Sequence, residues 1–110
     1  MIELEERAEK AINYLAKTDR NHAELKARLN SLQEMRKTIK AFAYIEAVKA
    51  GSAQGLAEQK AYASQEYQDH IKLIEETEVA YQSLQNERVS AINLIDLYRT
   101  YAANTRRGNV

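Results

Sequence analysis

The chain has 110 residues, 16 acidic and 16 basic, with no proline, no cysteine and only three glycines. That size allows one domain at most, and the lack of cysteine excludes disulfides, thiolate metal sites and a cysteine nucleophile. No apolar run approaches the roughly 20 residues that span a bilayer, and the acidic start MIELEERAEK has no signal-peptide core, so a soluble, intracellular, all-α protein is expected.

Residues 2–16 place Leu4, Ala8, Ala11, Ile12 and Leu15 at helical spacing, which predicts a short amphipathic helix. Thr18 or Asp19 can cap a new helix, with Asn21 and Glu24 as a weaker option. A break is therefore expected near residue 18, a continuous kinked helix being the alternative. A second helix is predicted over residues 20–50, on a stripe of Leu25, Leu29, Leu32, Met35, Ile39, Phe42 and Ile45. GSAQG, residues 51–55, gives the clear loop signal. A third helix is predicted over residues 56–104, with Tyr67, Ile71, Ile74, Tyr81, Leu84, Ala91, Ile95, Tyr98 and Ala102 as its stripe and Asn104 or Gly108 as its stop.

A short loop between two long amphipathic helices makes a long antiparallel hairpin, with the short N-terminal helix beside it. If Lys49 lies near Ala57, Arg20 lies near Asn86, and the stripe beyond has no partner from the second helix. The N-terminal helix can fold over part of that overhang. Ile92, Ile95, Tyr98 and Tyr101 are left to face water, so Ile92, Ile95 and Tyr98 are the expected interface of a homo-oligomer.

The net charge of zero conceals blocks. Residues 20–49 carry seven basic and three acidic side chains, residues 50–97 three and eight, and residues 98–110 three arginines and no acid. Arginines in a last turn complement the helix dipole and glycine caps the end, which accounts for Arg106, Arg107 and Gly108 without any ligand. Arg99 and Arg106 are seven apart and share a face with Arg107 adjacent, an edge that also suits phosphates. Tyr98 and Tyr101 flank it, and Tyr44, Tyr62 and Tyr67 flank the loop end. These tyrosines either pack in the seam or stack on unpaired bases. His22 and His70 have no companion at ligand spacing, so interhelical or surface histidines are expected and no metal or cofactor. Glu75, Glu76 and Glu78 read as a solvated face, and no nucleophile motif surrounds Ser64 or Ser90, so no enzyme is expected.

The segment AEQKAYASQEY and the ending YRTYAANTRRGN resemble a group of small helical proteins that tailed phages encode in replication and recombination modules. Lys60–Ser64 matches its Lys-Ala-Tyr-Ala-Ser segment and Tyr98–Asn109 its arginine-rich ending. In layout the chain is similar to the UvsY-type recombination mediators, oligomeric hairpins that bind single-stranded DNA beside a recombinase. The resemblance implies a cytoplasmic protein of the bacterial host that binds single-stranded DNA and assists a phage recombinase or annealing protein. Lys37, Lys40, Lys60, the loop-end tyrosines and the arginine tail would then meet the strand. The alternative is a structural or adaptor coiled coil, in virion assembly or host-protein regulation, without nucleic acid.

Overall fold

The computed structural model describes residues 2–108, which form three helices: α1 (Ile2–Lys49), α2 (Gln54–Ala63) and α3 (Gln65–Arg106). Among the described residues there is no strand, and no helix is long and apolar enough to cross a membrane. Asn109, the last residue of the ending quoted above, lies outside the described residues.

Two helix breaks differ from the sequence expectation. The break near residue 18 is absent, and α1 continues through it. Thr18 and Asp19 are used sideways instead of as caps. Arg88 Nη1 donates to Thr18 Oγ1 at 2.7 Å and to the Leu15 carbonyl at 2.9 Å, and Nη2 reaches Asp19 Oδ1 at 3.3 Å. Without proline or glycine at residues 17–20, nothing forces the backbone out of the helix.

The second difference is a break inside the expected 56–104 helix, at Ser64. Its backbone is extended, with φ −62° and ψ 147°. The Ser64 hydroxyl donates to the Ala61 carbonyl at 2.7 Å and accepts from the Tyr67 N–H at 3.3 Å. One side chain therefore closes α2 and caps α3. Gln68 Nε2 donates to the Tyr62 carbonyl at 2.7 Å, which satisfies another helix-end acceptor. Ser64→Ala is expected to lower stability by about 1 kcal/mol, read as a lower thermal midpoint. An unchanged midpoint would show that the break does not depend on the hydroxyl.

The turn between α1 and α2 begins at Gly51, whose φ is +97°. The Gly51 N–H bonds the Val48 carbonyl at 2.9 Å and the Ser52 N–H bonds the Ala47 carbonyl at 3.1 Å. This pair of bonds is a Schellman cap, and it needs the left-handed conformation that glycine adopts without strain. Gly55, expected in the loop, lies in the first turn of α2. At the other end Gly108, φ +71°, ends α3, its N–H bonded to the Thr105 carbonyl at 3.1 Å.

The chain divides into two compact units. The turn unit, Glu24–Tyr81, holds a core of Leu29, Leu32 and Ile74 with Ile71, Leu73 and Tyr81 packed on it. His70 is buried there and its Nε2 lies 2.6 Å from the Leu32 carbonyl. A carbonyl only accepts, so Nε2 carries the proton. Ala57 and Ala61, four apart on one face of α2, are 0% exposed.

The terminal unit, Met1–Ala23 with Gln82–Val110, is built on Ala11, Ala91 and Ile95, covered by Tyr14, Leu15 and Leu94. His22 Nε2 meets Gln85 Oε1 at 2.5 Å, so both histidines are interhelical. The Tyr14 hydroxyl donates to Glu87. Inside each unit the pairs run antiparallel, Asp19 with Arg88 and His22 with Gln85 in one, Leu32 with His70 and Lys40 with Glu58 in the other.

The overhang expected to face water is largely covered. The unbroken α1 brings Ala11 onto Ala91 and Ile95, leaving Ile95 buried and Tyr98 half-buried. Ile92 remains exposed. Every member of the α3 stripe is buried or half-buried, as the spacing requires. Past Leu32 the α1 stripe keeps only Ile39 half-buried, for Met35, Phe42 and Ile45 are exposed. From Leu25 to Ile45 that stripe takes six steps over 20 residues, about 3.3 per step, against about 3.6 per turn, so it winds away from the core.

Candidate nucleic-acid interface

Within the turn unit, Arg36, Lys37 and Lys40 of α1 and Tyr62 and Tyr67 line a groove of about 360 Å³. The break at Ser64 shapes it. Tyr62 lies near the end of α2 and Tyr67 in the first turn of α3, and their rings meet edge to face at 84°, centroids 5.5 Å apart. Lys37 and Lys40 also line an adjoining groove of about 550 Å³ with Ala41, Tyr44 and Glu58. The two lysines line both grooves, one with Tyr62 and Tyr67 and the other with Tyr44.

Lys40 is the most engaged cation of the group. Its Nζ lies 3.9 Å from the centroid of the Tyr62 ring, 2.5 Å from the Tyr62 hydroxyl and 3.4 Å from Glu58 Oε1. These contacts are weak enough to exchange. Exposed ion pairs and cation–π contacts are screened by water and contribute little, and the hydrogen bond to the Tyr62 hydroxyl is one the ammonium can equally make to a phosphate oxygen. A phosphate can take the ammonium, and the freed ring face can take a base, for which stacking contributes about 1–3 kcal/mol.

The other expected contact residues divide. Lys60 donates to Ser52 Oγ at 2.8 Å and ties α2 to the turn rather than joining the groove. Arg99, Arg106 and Arg107 lie in the terminal unit with Tyr98 and Tyr101 and not with the lysines. All three arginines are exposed. Arg99 Nη1 sits 3.9 Å from Asp96, and Arg106 lies in the last turn of α3, just before the Gly108 cap. Tyr98 and Tyr101 are half-buried.

Arg36 was not anticipated as a groove residue, although its spacing from Lys40, one helical turn, would have placed the two on one face. The Ser64 cap was legible as Ser followed by acidic Glu66 in a first turn. Glu75, Glu76 and Glu78 are exposed, and the described residues contain no group of three or more His, Cys, Asp or Glu side chains able to hold a metal. Comparison with protein-family models, with curated proteins and with solved structures returns no match to this chain.

Two tethers should loosen in alkali. The Lys40 ammonium is held above its ordinary 10.5, chiefly by the Tyr62 hydroxyl, with Glu58 adding to it. The Tyr14 phenol is held above its ordinary 10.0, chiefly by its hydrogen bond to Glu87. Groups raised in the fold stabilise it fully below their ordinary values and lose that effect as pH rises through the raised ones. The thermal midpoint should therefore hold to about pH 9 and fall above about pH 10. Tyr14→Phe with Lys40→Met should flatten part of that fall, and an equally steep fall in the double variant would exclude these tethers.

Proposed function

We propose that this protein is a non-catalytic binder of single-stranded nucleic acid, in the accessory role that the phage resemblance implies, holding a strand for a recombinase or annealing protein. The observation that supports this reading is the groove of Arg36, Lys37 and Lys40 against Tyr62 and Tyr67. Cations spaced along a helix match successive phosphates, and aromatic faces accept any unpaired base. A duplex keeps its bases stacked inside and offers those rings nothing, so preference for a single strand follows. The exposed arginine edge of the terminal unit is a second, base-independent contact of the same sign.

Fluorescence anisotropy with a labelled oligothymidine and with a duplex of equal length tests this. Binding of the single strand that weakens with salt, and weaker binding of the duplex, is the expected result. No detectable binding of either at about 50 mM salt would leave the cations as solvated side chains. The reading of a structural or adaptor coiled coil would then stand, favoured by the exposed apolar residues of α1.

A further inference from the structure

Met35, Thr38, Phe42, Ile45 and Lys49 of α1 step by three, four, three and four residues, the alternation of a coiled-coil seam with period 3.5. The seam lies away from the core of the turn unit. Met35 is 48% exposed, Phe42 65% and Ile45 46%, and Thr38 and Lys49 are exposed as well. Ala41 and the exposed Val48 flank it, and Ile39, Phe42, Ala43, Glu46 and Glu66 shape an indentation of about 230 Å³ along one edge. Solvated positions of a helix need no such period, whereas a partner helix does. We infer that this seam is where a second copy of the chain docks, with the two α1 helices antiparallel.

Charge selects both the occupant and its direction. Parallel α1 helices would set Lys49 against Lys49 of the second copy and keep it about four helical turns from either Glu34. In the antiparallel register that pairs Phe42 with Ile45 of the second copy, Lys49 lies opposite its Thr38 and one turn from its Glu34. The twofold axis makes that Lys–Glu approach twice. Like charges are separated and unlike charges approach, which is self-complementarity of an isologous kind. The units also gain from further cover, because no large side chain among the described residues is completely buried. Arg36 and Lys40 lie on the opposite side of α1, so docking leaves their groove open and gives each pair of chains two grooves.

The mass in solution, without nucleic acid, decides this independently of strand binding. Sedimentation of the full chain at about 50 µM should give twice the 12.6 kDa chain mass. Phe42→Glu with Ile45→Glu would set carboxylates against one another across the seam and should raise the dimer dissociation constant by ~100-fold or more, at unchanged helix content. Val79→Glu, at a 69% exposed position of α3, should leave the mass alone. Lys49→Glu should weaken the dimer and the addition of Glu34→Lys should restore it. A monomeric wild-type chain, or a dimer that survives the seam substitutions, overturns the proposal. Failure of the charge exchange to restore association overturns the antiparallel register.

Discussion

Replacing Arg36, Lys37 and Lys40 together with glutamine should abolish most single-strand binding while leaving helix content intact. The three side chains lie within five residues of α1, two of them lining both adjoining grooves, and none is part of a buried core. If each meets one phosphate, the intact groove contributes about −2 to the log–log salt slope, at ~0.7 per phosphate on a single strand. The triple variant should lose that part of the slope. Tyr62→Leu should cost about 1–3 kcal/mol of binding with little change in slope, because stacking releases no counterion. Arg99, Arg106 and Arg107 serve as the internal comparison. If their replacement flattens the slope and the groove variant does not, the strand runs on the terminal unit. If neither variant changes binding, the cations are not the contact.

The second large effect should come from two of the smallest side chains. Ala57 and Ala61 are fully covered, so leucine at both has no room and overpacking should cost about 1–3 kcal/mol at each. The consequence is local before it is global. At 10 residues α2 is below the ~12–15 at which a free helix becomes even marginal in water, so docking holds it in shape. Ala57→Leu with Ala61→Leu should release it, separating Tyr62 and Glu58 from Lys40. Hydrogen exchange should then lose protection across residues 54–63 and anisotropy should lose strand affinity together. Gln59→Ala, on the exposed side of α2, should change neither. Retained protection in the double leucine variant would mean that α2 does not depend on those two contacts.

The contrast between α1 and α3 explains how much of this was legible. Tyr67 through Ala102 keep a spacing close to the helix period and all of them turn inward, so periodicity alone identified the α3 side of both cores. On α1 the apolar residues form two overlapping patterns, a core stripe through Leu25, Leu29 and Leu32 and a seam through Met35, Phe42 and Ile45. Read as one stripe they hid the exposure of the second. The turn at Gly51 was visible because glycine has a conformational reason to be there. Of the Ser and Thr positions, the cap expected at Thr18 does not form, and one forms at Ser64, where none is expected from the sequence. Thr18 looks like a start but serves Arg88, whereas Ser64 sits in an unbroken helical composition and does cap. Thr18 is decided by the facing helix, which offers Arg88, whereas the Ser64 bonds are local, to Ala61 and Tyr67. The groove follows from the Ser64 break, so it was legible only as its separate lysines and tyrosines.

The pairs that join α1 to the rest of the chain shorten steadily toward the Gly51 turn. Tyr14 and Glu87 are 73 residues apart along the chain, His22 and Gln85 63, Leu32 and His70 38, and Lys40 and Glu58 18. Each doubling of a loop adds only about 0.6 kcal/mol to the entropy of closing it, but that cost comes before any contact repays it. Folding is therefore expected to start beside the turn and zip outward, each closed pair shortening the free loop that the next must close. Glu24–Tyr81 should condense first, with its groove formed before the two ends of the chain have met.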